Sequence, residues 1–489
     1  MSTLDLGHVL KATCGCQAPA GLQRVTTVVV DSRQAAPGSL FVAFGGARVD
    51  GHAYVKDAFE RGAVAALVER PVFPDRVIDA RQPAAGEMPA DLDLPICILV
   101  NNTLTALQEL AQFWRSQHSP RVIGITGSIG KTTTKELVHA VLSTRFDTLK
   151  SEGNLNNEIG LPLTLLDLTE EHERVVLEMG MYIGGEITTL TNIAGPQVGV
   201  VTNVGPVHLE RLGSMQAIAD AKAELVEALP PAPEGVAILN QDEPMVRAMA
   251  DRTQARIFSY GLSPQADLWA DNIEGAGLEG IRFSLHYQGE IVHIRAPLLG
   301  RHSVHTALRA AAVALVEEMG WEEIVTGLQD DSPQLRLVAV NGPDNSLLLD
   351  DTYNASPAST FAALNLLADL PATRKGGAVG RRVAVLGDML ELGDYELTGH
   401  RLVGRRVLEA ADFLVTVGSL GQIIAKESLD AGMPPDRVMI LPDVKAAMET
   451  LPGFIKEGDL VLVKGSRGVR LDKLVDHLTQ SQLDAEGAD

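Results

Sequence analysis

Val122-Ile123-Gly124-Ile125-Thr126-Gly127-Ser128-Ile129-Gly130-Lys131-Thr132-Thr133-Thr134-Lys135 joins an apolar run to a segment in which Leu137, Val138, Val141 and Leu142 recur at helical spacing. Strand, glycine turn and helix start form the setting in which a phosphate-binding loop works. Glycines let the backbone approach an anion closely, successive N–H groups point at it, and the helix N-terminus adds positive partial charge. In such a loop Lys131 reaches the outer phosphates and the Thr132 hydroxyl reaches Mg²⁺. One position departs from the standard spacing, which has glycine where this chain has Ile125. The stretch therefore predicts a nucleoside triphosphate site of variant form, without saying what the triphosphate is for.

Outward from the loop the chain divides into three blocks, consistent with the length of 489 residues. Residues 103–333 alternate strands and helices as a parallel sheet does, with Val122–Ile125, Val175–Leu177, Val198–Thr202 and Ala237–Leu239 as buried strands. An amphipathic helix through Leu104, Leu107, Leu110, Ala111 and Trp114 leads into this block, and a β-rich insert near 257–297 precedes an apolar helix starting near His302. Residues 1–102 carry short β-like runs (Val25–Val30, Leu40–Phe44), an Ala-rich helical stretch at Ala53–Glu69 and a Pro- and Asp-rich loop at 70–95. Residues 334–489 repeat the alternation with strands at Leu347–Leu349, Val383–Leu386, Phe413–Val417, Val438–Ile440 and Leu460–Val463, then an acidic tail, Ser481–Asp489, expected to fray. The predicted fold is α/β in three domains. The central one is a P-loop-type parallel-sheet ATPase domain, the C-terminal one Rossmann-like, and the N-terminal one smaller and α/β.

Composition narrows the partners. Aromatic residues make up 4% of the chain and the formal net charge is −22, which argues against nucleic acid as a ligand. The three cysteines, Cys14, Cys16 and Cys97, give no disulfide framework or zinc spacing and read as thiols. No run approaches the ~18 apolar residues that span a bilayer, so no membrane insertion is expected. With no secretory segment visible, a cytoplasmic, monomeric protein is the expectation.

A triphosphate loop needs a metal, and candidate ligands lie at other strand ends. Glu178 follows the apolar run Val175–Leu177, and His208 follows Val198–Thr202. A carboxylate is a hard donor suited to Mg²⁺; an imidazole is less usual. Taken singly, Glu178 reads better as a solvated strand-end charge and His208 as a loop hydrogen-bonder. Lys222, on the helix that carries Leu225, Val226 and Leu229, reads either as an exposed helix lysine or as a lysine near the metal with a depressed pKa.

The segments TGSIGKTTTK, GNLNNEIGLP, LEMGM, TNVGPVHLE and AKAELV, in this order, resemble the Mur ligases, ATP-dependent enzymes of peptidoglycan precursor synthesis. LLLDDTYNASP, VLGDMLELG and VKGSR, with VVVDSRQAAPGSLFVAFGG near the N-terminus, narrow the resemblance to the branch that joins D-alanyl-D-alanine to UDP-N-acetylmuramoyl-tripeptide. The likeness spans nearly the whole chain and accounts for the variant loop. It implies an N-terminal domain (1–102) that binds the UDP substrate, a central ATP-binding domain (103–333) and a C-terminal domain (334–489) that binds the dipeptide. It places ATP on Thr126, Gly127, Ser128, Ile129, Gly130, Lys131, Thr132 and Thr133, with Arg336, Asp351, Tyr353 and Asn354 meeting the nucleotide. It implies two Mg²⁺ ions held by Thr132, Glu178, His208 and a carbamylated Lys222, with Lys131, Glu178, His208 and Lys222 as the catalytic set. Ser32, Arg33, Asp50, Gly51, His52, Asn156 and Asn157 would serve the UDP substrate; Lys464, Ser466 and Arg467 would face the dipeptide.

One segment departs from the family pattern. Where the family usually reads GRHN-x-x-N, this chain has Gly300-Arg301-His302-Ser303-Val304-His305-Thr306, so two amides that lie near the adenine are replaced by hydroxyls. Rival readings are a sister ligase adding the third peptide residue, a folylpolyglutamate synthetase-like enzyme and, from another class, a nucleotide-switch ATPase. The sister ligases carry an Asp-Asn-Pro-Arg-type motif, and the corresponding region here reads Leu386-Gly387-Asp388-Met389-Leu390-Glu391-Leu392-Gly393.

Overall fold

The computed structural model describes residues 3–15, 22–46, 49–73, 76–81, 92–330, 338–372 and 380–486, with side chains to residue 480. Three sheets follow one another along the chain. The first has five parallel strands in the spatial order Val28–Val29, Leu40–Val42, Ala65–Val68, Ile96–Leu99, Val77–Asp79. The third has six, ordered Val338–Asn341, Leu347–Asp351, Leu460–Lys464, Arg382–Gly387, Phe413–Val417, Val438–Leu441, with only the first pair antiparallel.

The central sheet has nine strands, and the strand that carries the loop is third from one edge. Arg121–Thr126 lies between Val198–Val201 and Arg174–Glu178, with Thr148–Lys150 at one edge and Val236–Asn240 beyond Val198–Val201 on the other side. Its residues Val122, Ile123 and Ile125 are fully buried, as expected of a parallel strand covered on both faces. The helices Lys131–Leu142 and Val304–Val316 pack on one face through Leu137, Val138, Val141 and Leu308. On the other face Leu225 and Ile218 of Met215–Glu227 join a core that also holds Leu107, Leu110 and Trp114 of helix Thr103–Ser116, together with Leu40, Leu67 and Ile98 of the first sheet. Asn102 caps that bridging helix, its Oδ1 accepting from the Thr105 N–H at 2.8 Å, so the helix start is fixed where the first sheet ends.

Several expectations change. Ala53–Glu69 is a short helix, Val55–Glu60, followed by the strand Ala65–Val68, whose four residues are all buried. The stretch read as loop contains the strand Val77–Asp79, and residues 82–91 lie outside the described residues. The β-rich insert is no separate unit. Arg256–Gly261 and Leu268–Gly275 continue the central sheet in parallel, and Ile281–Tyr287 and Glu290–Ala296 extend it antiparallel. The last helix, Asp472–Glu486, runs into the segment expected to fray. Cys97 is a buried free thiol, whereas Cys14 is disulfide-bonded, contrary to its reading as a thiol. No described helix is long and apolar enough to cross a membrane.

Candidate nucleotide and ligation site

The loop is a strained turn that only glycine accommodates at two points. Gly127 has φ +146°, and a Cβ there would fall 1.9 Å from Thr202 Oγ1; Gly130, at φ +80°, opens the helix Lys131–Leu142. The segment after the neighbouring strand holds the turn in place. Asn203 accepts from the Ser128 N–H through its carbonyl at 3.0 Å and from the Ile129 N–H through Oδ1 at 3.0 Å, while its Nδ2 donates to Ile129 O at 2.9 Å. Thr202 Oγ1 donates to Ile129 O at 2.6 Å. Asn203 was visible in the sequence only as part of a motif, and its job of gripping the loop was not legible there. Thr126 Oγ1 donates to Met179 O at 2.9 Å, tying the loop to the next strand end.

A cavity of about 280 Å³ lies on one side of the loop, with Lys131, Asn156, Glu178, His208, Lys222 and Tyr353 in its wall. Thr132 Oγ1 donates to Glu178 Oε2 at 2.7 Å and Asn156 Nδ2 donates to Oε1 at 2.9 Å, so a carboxylate only 1% exposed is fixed by the loop on one side and an amide on the other. The solvated reading of Glu178 is thereby excluded. Lys131 Nζ donates to Gly127 O at 2.8 Å. Lys222 is 2% exposed rather than a surface lysine, and burial, with the Lys131 charge adding to it, pushes its ammonium well below the usual range. His208 Nδ1 stands 2.7 Å from Glu391 Oε2, a residue of the third block. Burial lowers the His208 pKa, Glu391 opposes this, and Lys131 and Lys222 add to it. Among the described residues no three His, Cys, Asp or Glu side chains cluster as a metal cage.

A second cavity, about 390 Å³, lies on the other side of the same loop, with Gly130, Thr133, Asp351 and Lys464 in its wall. Ser128 and Asn354–Ser356 line both cavities. Lys464, expected at the dipeptide, faces this second cavity and donates to Asp351 Oδ2 at 2.6 Å and to Asn354 O at 2.9 Å. Ser466 is buried and occupied within its own domain, its Oγ accepting from the Leu390 N–H at 2.9 Å. Arg467 sits over the Tyr353 ring at 5.7 Å. Arg336 lies outside the described residues.

The first-domain candidates stand apart from both cavities. Arg33 pairs with Asp31 at 2.6 Å and is exposed, whereas Ser32 is buried. Asp50 accepts from the His52 N–H at 3.0 Å and pairs with Arg70. The His52 ring is fully engaged, with Nδ1 2.7 Å from Asp50 Oδ1 and Nε2 accepting from the Glu69 N–H at 2.8 Å. Glu69 Oε1 in turn accepts from the Thr103 N–H at 2.9 Å, so His52 braces the junction with the bridging helix. Gly51 packs against the Phe44 backbone with no room for a side chain. Asn156 and Asn157 lie instead at the reaction cavity, with Asn157 Oδ1 accepting from the Gly160 N–H at 2.9 Å.

Residues 24–115 match the description Mur ligase family, catalytic domain; residues 125–314 match Mur ligase middle domain; residues 335–467 match Mur ligase, glutamate ligase domain. A protein of Bacillus subtilis (strain 168) named UDP-N-acetylmuramoyl-tripeptide--D-alanyl-D-alanine ligase is 37% identical over 459 residues, 93% of either chain. The crystal structure of MurF from Acinetobacter baumannii is similar at a TM-score of 0.81 and 31% identity, covering 98% of this chain and 99% of that one. MurF ligase from Thermotoga maritima in complex with ADP is similar at a TM-score of 0.75 and 25% identity, covering 93% and 97%. With three domains matched in order and relatives similar over nearly their whole length, the chain belongs to the Mur ligase family.

Proposed function

We infer that this chain is an ATP-dependent ligase that joins D-alanyl-D-alanine to UDP-N-acetylmuramoyl-tripeptide in the cytoplasmic synthesis of peptidoglycan precursors. The observation that carries the reading is the pair of cavities meeting at one phosphate loop. One is set for a nucleotide, and the other gathers Lys131, Glu178 and Lys222 where the γ-phosphate would emerge. The relatives named for this activity support the choice of substrates.

The terminal carboxylate of the tripeptide attacks the γ-phosphorus; the bond from that phosphorus to the β-bridging oxygen breaks, releasing ADP and leaving an acyl phosphate. The dipeptide amine then attacks the acyl carbon, phosphate leaves, and the nitrogen gives up its proton to solvent. Two anions must meet, so positive charge and positioning dominate the task. Lys131, resting on its own loop carbonyls, is placed to transfer its N–H donors to phosphate oxygens. The shared wall Asn354–Ser356 keeps water from the acyl phosphate when the third domain is docked.

Magnesium fits the residues present. A threonine hydroxyl beside a buried carboxylate offers hard oxygen donors, and Mg²⁺ is ordinarily held by one or two carboxylates plus phosphates and water rather than by a dedicated cage. When bound, it supplies charge neutralisation between the phosphates. Thr132 and Glu178 would hold one ion; His208 and Lys222 would hold a second. For the latter, Lys222 is assigned as a carbamate. Its depressed pKa favours the neutral amine that adds CO₂ with loss of a proton, turning a buried amine beside Lys131 into an anionic oxygen donor. The domains are assigned as UDP substrate on 1–102, ATP on 103–333 and dipeptide on 334–489. Ser32, Arg33, Asp50 and Gly51 serve the UDP moiety with His52 as their brace, and Arg467, which sits over the Tyr353 ring, is assigned to the dipeptide.

Phosphate release measured with and without each acceptor tests the reading. Release that requires both UDP-tripeptide and D-alanyl-D-alanine, with stoichiometric amide formation, is expected; release independent of both would sink it.

A further inference from the structure

The hydroxyls that stand where the family carries amides each make one bond to the protein itself. Ser303 Oγ donates to Leu299 O at 2.6 Å, and Thr306 Oγ1 accepts from Arg309 Nη2 at 3.0 Å. Both side chains line the second cavity, yet their bonds run back into the protein. Two other groups on the same helix start are in the opposite condition. Arg309 Nε and His305 Nδ1 are buried and have no hydrogen-bond partner among the described residues, and both residues line this cavity. Arg309 is 5% exposed, and its Nη1 is engaged only by long contacts, to Tyr260 Oη at 3.4 Å and Thr202 O at 3.5 Å. A buried guanidinium N–H left without an acceptor is costly, and such atoms in a native cavity point to a ligand.

The position in the cavity says which part of the ligand. A nucleotide whose phosphates lie on the loop sends its γ-phosphate toward Lys131 and Lys222 on one side, so the base lies on the other, beyond Gly130. Arg309 Nη2 stands 3.3 Å from where a Gly130 Cβ would be, directly behind the loop. Adenine offers an exocyclic amine next to a ring nitrogen, one donor beside one acceptor; the same edge of a 6-oxopurine offers two acceptors. Burial, then the Arg309 charge, push His305 down to about 4, so at neutral pH the ring is uncharged and has a nitrogen lone pair to offer.

We propose that Arg309 and His305 read the adenine base of ATP, Arg309 Nε–H donating to a ring nitrogen and His305 Nδ1 accepting from the exocyclic amine. The pair replaces the amide recognition lost at positions 303 and 306. The proposal rests on the ligase reading above and deepens it, by naming the residues that choose the nucleotide.

The test compares ATP, inosine triphosphate (in which a carbonyl replaces the amine) and tripolyphosphate (which has no base) on the full chain and on His305→Ala and Arg309→Met. The unaltered protein is expected to prefer ATP over inosine triphosphate by about tenfold in kcat/KM. His305→Ala brings that ratio close to one by weakening ATP. Arg309→Met raises KM for both nucleotides about tenfold with kcat little changed. Tripolyphosphate inhibits all three proteins equally. His305 is only partly buried, so its truncation opens no core, and the ratio in that variant decides the proposal by itself. An unchanged ratio, or a tripolyphosphate affinity that falls in step with ATP in Arg309→Met, overturns it. Unaltered protein that forms no amide bond with ATP overturns the ligase reading instead.

Discussion

The two cavities flanking the phosphate loop are built on opposite principles. On the reaction side the buried carboxylate is satisfied before any ligand arrives, Thr132 and Asn156 holding Glu178, while His208 Nδ1 stands 2.7 Å from Glu391 Oε2 without completing a hydrogen bond to it. On the base side two buried donor–acceptor atoms, Arg309 Nε and His305 Nδ1, are left open among the described residues. Groups that must stabilise a fleeting charge distribution gain from being fixed in advance, because nothing then reorganises as the charge develops. Groups that select a ligand gain from being unsatisfied without it, because a wrong ligand leaves them so.

Removing the fixed charge on the reaction side should have the largest effect. Lys131→Ala is expected to lower kcat about a thousandfold, with smaller change in KM for the dipeptide; steady-state kinetics at saturating ATP measures it. A variant within tenfold of the parent would break the contrast. Lys222→Ala comes next, at about a hundredfold, with partial recovery on adding short-chain carboxylates such as formate or acetate. Full activity in that variant, or no recovery at any carboxylate concentration, rules out the carbamate. Glu391→Gln, which keeps the shape and removes the charge 2.7 Å from His208, is expected to cost about tenfold in kcat with the KM for ATP unchanged. Both residues of that contact sit at positive φ, +64° for Glu391 and +55° for His208, so two strained backbones are spent on bringing it about.

The smallest effect sharpens the base-side half of the comparison and is read in stability. His305 falls from the usual 6.5 to about 4 in the folded chain, with Arg309, Asp242 and His302 as the charges facing it. Between those values the unfolded chain binds the proton and the folded chain does not, so stability falls as pH drops from 6.5 toward 4. His305→Ala should flatten that slope by about 1–2 kcal/mol, which urea titrations at pH 6.5 and pH 4.5 would resolve. An unaltered slope would mean that His305 is not held neutral.

What could be read in advance follows from where the physical signal was local. Val122, Ile123 and Ile125 form an unbroken apolar run because their strand is covered on both faces, and the glycines after it mark a turn no other residue can make. Glu178 and His208 could be named because each closes a segment that leaves a buried strand. Thr148–Lys150 escaped notice because an edge strand needs no continuous apolar face, and Ala65–Val68 because alanine reads as helix until pairing with Leu40–Val42 and Ile96–Leu99 decides otherwise. Arg309 was the hardest to see. It interrupts the apolar run Ala307–Ala314 of a buried helix, and only the fold reveals that its guanidinium passes behind Gly130. His52 was legible as a polar residue in a motif, but the bracing of Glu69 and Thr103 through it depends on partners 17 and 34 residues apart in sequence.

Asn354–Ser356 forms part of the boundary of both chambers, and it comes from a domain that neither chamber could move by itself. A single door therefore serves two rooms. A movement of that domain would therefore reshape the chamber for the base and the chamber for the reaction at the same time, and neither could be altered on this side without the other.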